Sequence, residues 1–144
     1  MSYTNIGTII SVSATLPATE DSAGYAALSY TEVKGVASIP EIGPASSIVS
    51  QADLKDGIVR KAHGEIDNGG GTLQMREVAA DAGQGMLKTA QSGQTTISCK
   101  ITRANAKVEY FPAIIASYRK SEAGTGNFAG ISVDLQITSP IVEV

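Results

Sequence analysis

Three segments in the C-terminal third alternate apolar and polar residues with a period of two. Ile97, Cys99 and Ile101 oppose Thr96, Ser98, Lys100 and Thr102. Val108, Tyr110 and Ile114 oppose Glu109, Phe111 and Ile115, with Pro112 marking an edge or a bulge. Ile131, Val133, Leu135 and Ile137 oppose Ser132, Asp134, Gln136 and Thr138. Successive side chains of a strand point to opposite faces, so each segment predicts a strand with one apolar face. In the first and third, the other face is polar.

The N-terminal half is more broken. Thr8-Ile9-Ile10-Ser11-Val12 predicts a first strand, and Pro17 ends it. Residues 17–24 predict a loop, with Asp21-Ser22 as its turn chemistry and Gly24 as its bend. Tyr25 to Val33, Gly35 to Ile39 and Ser46 to Ser50 predict short strands, bent apart by Pro40, Gly43 and Pro44. Residues 51–70 predict either a disordered surface loop or a protruding arm: a polar stretch, a mildly strand-like run from Ile58 to Ile66, and a flexible turn at Asp67-Asn68-Gly69-Gly70-Gly71. An arm of this length cannot bury much of itself in its own domain.

Thr72 to Ala79 alternates again, with Leu73 and Met75 on one side and Gln74 and Arg76 on the other. One helix follows. Asp81 and Gln84 have the spacing of a capping box, and Ala82, Met86 and Ala90 beside Leu87 predict its apolar face. Gly83 and Gly85 weaken it, so it needs a sheet to pack on.

Composition narrows the class. A chain of 144 residues is long enough for one real core and too short for two. Few aromatics, no Trp and 15 glycines suit a β module with small side chains between its packed surfaces. Lys and Arg number 11 against 14 Asp and Glu, a net charge of −3, which disfavours a protein that grips phosphates with a basic stripe. Cys99 is the single cysteine, so it forms no intrachain disulfide and reads as a small core residue. No run approaches the roughly 18 apolar residues of a bilayer span, and no secretory signal pattern opens the chain, so a soluble cytoplasmic product is expected.

The candidate chemistry is thin. His63 is the single histidine, set in the arm between Ala62 and Gly64, and no G-x-S-x-G elbow presents a serine to it. One His, one Cys and dispersed carboxylates do not make a metal site. Gly83-Gln84-Gly85-Met86-Leu87-Lys88-Thr89 has Leu87 where a phosphate loop requires glycine. These patterns predict no enzyme and no cofactor. Arg60 and Lys61 suit either pairing with acidic residues of an adjacent subunit, which fixes register more than it adds affinity, or solvated surface charge pairs.

A series of pieces carries a family resemblance. Leu16-Pro17-Ala18-Thr19-Glu20-Asp21-Ser22-Ala23-Gly24-Tyr25 runs on to Tyr30-Thr31-Glu32-Val33. Ile39-Pro40-Glu41-Ile42-Gly43 follows, then Gly69-Gly70-Gly71-Thr72-Leu73-Gln74, Asp81-Ala82-Gly83-Gln84 with Leu87 and Ala90, and Ser139-Pro140-Ile141-Val142. In order and spacing this series resembles the tail tube proteins of long-tailed, non-contractile bacteriophages across nearly the whole chain.

That resemblance implies an all-β fold with one short flanking α-helix, a β-sandwich of tail-tube type spanning 1–144. It implies a long protruding hairpin at about 51–70. Subunits of this kind close into hexameric rings with a continuous inner β-barrel, and the rings stack into a conduit for DNA that passes without specific binding. The implied partners are the chain itself, the tape-measure protein, the tail-tip complex and the tail terminator. The implied location is the virion tail, after assembly in the host cytoplasm and without membrane insertion. Asp53, Lys55, Asp56, Arg60, Lys61, His63 and Glu65 become candidates for inter-subunit contact, and Glu109 and Asp134 for the lumen wall. The inner tube of a contractile tail or secretion system, and a β-sandwich decoration or binding module, stand as alternatives.

Overall fold

The computed structural model describes residues 4–120, 126 and 129–144. Nine strands and two helices follow one another as β1 (Ile9–Ser13), α1 (Ser22–Ala26), β2 (Thr31–Glu32), β3 (Val36–Ser38), β4 (Ile42–Ala52), β5 (Val59–Arg76), α2 (Ala82–Gly93), β6 (Thr96–Thr102), β7 (Val108–Lys120), β8 (Gly130–Ile137) and β9 (Val142–Glu143). All strand pairs are antiparallel, in the spatial order β2-β1-β6-β7-β8-β5-β3, with β4 added to β5 and β9 to β7.

The two edge strands of that order are consecutive in the chain. Only residues 33–35 separate β2 from β3, so the edges lie no more than about 14 Å apart. The sheet must therefore roll on itself, and the two layers expected of a sandwich come from a single sheet. Its concave face carries the predicted alternation: Ile97, Cys99, Ile101, Phe111, Ile131, Val133, Leu135 and Leu73 are all essentially buried. Burial pushes the Cys99 thiol up to about 12, which keeps it a neutral packing group. Leu87 and Ala90 of α2 join the same core.

Gln84 holds the seam. Its amide nitrogen donates to the carbonyls of Lys34 (2.8 Å) and Arg76 (2.8 Å), and its Oε1 accepts from the Val78 N–H (3.1 Å). Asp81 caps α2 by accepting from the Gln84 N–H at 3.0 Å, and also takes the Lys34 N–H at 3.2 Å. The reciprocal half of the capping box is absent, because the Gln84 side chain is committed across the seam. Gly83 completes the contact: a Cβ there would stand 2.5 Å from the Glu32 carbonyl oxygen. The apolar face of α2 is accordingly rotated from the expected one. Gly83, Gln84, Leu87 and Ala90 are buried, Met86 is half-buried and Ala82 is exposed.

Other boundaries also differ from expectation. Residues 22–26 form α1 rather than loop and strand, because the Asp21 carboxylate caps it by accepting from the Gly24 N–H at 2.7 Å. That bond holds the Asp21 carboxyl below its ordinary value. Tyr25 sits in this helix, and only Thr31–Glu32 remain as strand. Pro112 lies in β7, an interior strand, rather than at an edge. Its carbonyl accepts from the Thr138 N–H at 3.3 Å, on the side where β8 has ended and β9 has not begun. A residue's N–H and C=O point the same way along a strand, so the missing donor faces that gap.

Asp67 to Gly71 is not a turn. It is the continuous middle of β5, where the strand exchanges β4 for β8 as its partner. Gly69 has φ of +99°, and a Cβ on Gly70 would stand 2.5 Å from the Leu135 carbonyl oxygen. These glycines let the chain change partners without bending back.

Candidate assembly surface

β4 and the first part of β5 form a two-stranded ribbon that leaves the rolled sheet. Ile42 pairs with Gly69 at its root and Ala52 with Val59 at its far end, with register shifts near Ala45 and Ile48. Residues 53–58 turn the chain there. The Asp53 N–H donates to the Ile58 carbonyl (3.1 Å), the Gly57 N–H to the Asp53 carbonyl (2.8 Å), and the Ile58 N–H to Asp56 Oδ1 (3.0 Å). Arg60 clamps both carboxylates, with Nε 2.7 Å from Asp53 Oδ2 and Nη2 2.9 Å from Asp56 Oδ2. Arg60 thus finds its acids inside its own turn, where a neighbouring subunit was expected to supply them. These pairs are exposed, so they shape the turn more than they stabilise the protein.

Directly opposed residues of an antiparallel pair share a face. One face of the ribbon therefore carries Ile48 with His63, Ser50 with Lys61, Ala52 with Val59, and Ser46 with Ile66. The other carries Val49 with Ala62 and Gln51 with Arg60. His63 is exposed, and its Nδ1 lies 2.8 Å from Ser46 Oγ. Glu65 and Lys61 are exposed, and the Glu65 N–H donates to Ser47 Oγ at 3.0 Å. Of the contact candidates, Asp53, Lys55, Asp56 and Arg60 gather at the tip, while Lys61, His63 and Glu65 are strung along the ribbon.

The sequence reading missed the apolar content of this ribbon. Ile48, Val49, Leu54, Ile58, Val59 and Ile66 are more than half exposed, and Leu54 at the tip has no cover at all. The alternation that would have revealed them is broken by the two register shifts.

At the root lies a cleft of about 450 Å³. It is lined by Ile42, Pro44, Ile66 and Asn68 of the arm, by Pro140, Ile141 and Glu143 near the C-terminal strand, and by Arg103 and Glu109, so its surface is mixed polar and apolar. Arg103 holds Glu109 with two parallel bonds of 3.1 Å.

The convex face of the sheet divides into two parts. Residues 13–30 cover one part. There Ser98 is fully buried and donates to the Thr15 carbonyl at 2.7 Å, Tyr25 stacks on Tyr110 at 5.5 Å, and Lys100 lies over the Tyr30 ring at 5.6 Å. Burial pushes the Tyr25 hydroxyl up to about 12. The other part, across β5, β8 and β7, is polar. Asp134 sits between Thr72 and Ser117 and accepts from the Gln136 amide at 2.9 Å, and Ser132 donates to Gln74 at 3.1 Å. Asp134 and Glu109 do not share a face: Asp134 is on the convex side, whereas Glu109 lies opposite Ile101 on the concave parity, at the end of the roll.

Among the described residues no group of acidic, His and Cys side chains is placed to hold a metal ion. No helix among them is long and apolar enough to cross a membrane.

A rolled antiparallel sheet, plugged by one helix and extended by a long ribbon, is the fold of tail-tube proteins, and this chain has it. It resembles the SPP1 tail tube, solved by solid-state NMR and cryo-EM, with a TM-score of 0.64 and 17% identity over 94% of this chain and 75% of that one. It also resembles a chain of the anti-feeding prophage baseplate, solved by six-fold symmetrised cryo-EM, with a TM-score of 0.70 and 8% identity over 100% of this chain and 97% of that one. No protein-family model and no curated protein matches the sequence.

Proposed function

We propose that this chain is the tube subunit of a phage tail, closing into hexameric rings that stack into the conduit for the genome. The observation that carries the reading is the arm. A monomer has no use for a 28-residue ribbon studded with exposed apolar side chains, whereas an assembly covers it. The likeness to chains from a tail tube and a baseplate, over nearly the whole of this chain, supports the same reading. A heterologous contact repeated around an axis closes the ring, while the contact along the axis stays open and propagates.

In this reading the uncovered part of the convex face lines the lumen, with Asp134 as its acid. Polar, weakly charged walls that share the sign of DNA let the polymer slide without capture. Glu109, already neutralised by Arg103, contributes less. Tape-measure protein, tail-tip complex and terminator are the partners, and assembly takes place in the host cytoplasm before the virion carries the tube. The inner tube of a contractile tail or of a baseplate fits equally well, because the anti-feeding prophage chain is matched at nearly full length.

Electron microscopy of the concentrated protein tests the proposal. The expected result is rings or tubes with a central hole about 40 Å across, wide enough for a DNA duplex roughly 20 Å thick. Deleting residues 53–68 should leave a folded monomer that no longer stacks. Dispersed monomers that persist with the tail-tip complex added would overturn the tube reading, and a reconstruction with Asp134 on the outside would remove it from the wall.

A further inference from the structure

Asp67, Asn68 and Gly69 meet at a fault in the ladder of the ribbon. Ile42 opposes Gly69 and Ala45 opposes Asp67, which leaves Gly43 and Pro44 facing Asn68 alone. Pro44 has no N–H to offer, so the regular ladder that would fix this part of β5 is interrupted. Asn68 is half-buried at the root cleft, and its side-chain amide makes no hydrogen bond to any described residue. The next residue is glycine, whose nitrogen no Cβ shields, and Gly69 takes a left-handed φ of +99°. The Gly69 N–H donates to Asp67 Oδ1 at 2.9 Å. A general base reaches the proton it removes at that distance.

We propose that Asn68 cyclises on the Gly69 nitrogen in the folded protein, with Asp67 as the base, and is converted to aspartate and isoaspartate. The Gly69 N–H proton passes to Asp67, and the freed electron pair forms a bond to Asn68 Cγ. The bond from Cγ to the side-chain nitrogen breaks, and ammonia leaves carrying the proton. Water then opens the cyclic imide at either of its carbonyls. The isoaspartate product adds a methylene carbon to the β5 backbone, between arm and body. Either product places a carboxylate in a cleft that already holds Glu109 and Glu143. The chemistry needs no second copy of the chain, so it stands apart from the tube reading. The other asparagines, Asn5, Asn105 and Asn127, precede Ile6, Ala106 and Phe128 instead of glycine. Asp56-Gly57 is the parallel in the same ribbon, but the Ile58 N–H and Arg60 hold both oxygens of Asp56. That carboxylate is a poor electrophile and is fixed away from the next nitrogen.

The test holds native protein in mildly alkaline buffer and maps digests over time by mass spectrometry, with an isoaspartyl methyltransferase to label isoaspartate. The expected result is the amide-to-acid mass gain at Asn68, with isoaspartate, well ahead of Asn105, whose side chain accepts from the Lys107 N–H. Asn68 intact throughout overturns the proposal, and so does conversion of both residues at one rate, which marks unfolding. In Asp67→Ala and in Asp67→Asn, conversion at Asn68 should slow at least about tenfold, short of the hundredfold or more that a well-placed base supplies. Asp67→Asn keeps an acceptor for the Gly69 N–H but cannot take its proton, so it separates the base from the turn. A smaller loss in either variant overturns the assignment of Asp67.

Discussion

The rolled body and the arm are built from the same kind of strand and obey opposite rules of burial. In the body, Leu73, Ile97, Phe111, Val133 and Leu135 alternate with polar residues and lose almost all contact with water. In the arm, Ile48, Val49, Val59 and Ile66 have equivalent chemistry and stay more than half exposed. A two-stranded ribbon has no second layer to bury them, and both its edges beyond Gly69 are unpaired. The body therefore buries its apolar face within one molecule, whereas the arm leaves its own uncovered, and in the tube reading another copy covers it.

Substitutions can break this contrast. The largest effect on the monomer belongs in the core: Leu73→Ala should cost about 3 kcal/mol of unfolding free energy in urea, the usual price of a buried cavity. Gln84→Ala comes next, at about 2 kcal/mol, because it orphans the Val78 N–H and the Lys34 and Arg76 carbonyls at the seam. A loss under about half a kcal/mol would show that Gln84 does not close the roll. The smallest effect is that of Val59→Ser on the arm, within about 0.5 kcal/mol in dilute monomer. The same variant should lose most of its tube formation by light scattering. A destabilisation of the monomer matching that of Leu73→Ala would erase the distinction between the two regions.

How far this was legible in sequence follows the same line. Strands β6 and β7 bury Ser98 and Tyr110 on the other face as well, and β7 turns Phe111, Ala113 and Ile115 into the core rather than Val108, Tyr110 and Ile114. Strand β8 was the most readable, because it buries one face and burial enforces a period of two. The Asp81 cap was readable for the same local reason. The role of Gln84 was not, since its partners at Lys34 and Arg76 are brought to it by the closure of the sheet. Helix α1 was hidden behind Asp21-Ser22, whose turn chemistry also suits a helix cap. Residues 67–71 looked like a turn because three glycines usually make one. Their real task, a change of strand partner, depends on a distant Leu135 and Pro40. The family resemblance implied an arm at about 51–70, whereas the ribbon runs from Ile42 to Gly69, because Ile42–Ala52 pairs along it; its apolar surface emerges only from the register.

One strand belongs to both regions. β5 runs 18 residues from the arm tip to the seam without interruption, so no hinge or linker separates the projecting ribbon from the core. Tension applied at Val59 travels straight along the backbone to Leu73 and Met75. There the ladder with β8 carries it across seven paired positions, from Gly70–Gln136 to Arg76–Gly130. A pull along a strand loads such a ladder in shear, with its hydrogen bonds sharing the force, instead of unzipping them one at a time. The arm is in that sense a tie rod anchored through the middle of the body, and a stack joined by such rods would resist stretching with its cores as well as with its interfaces.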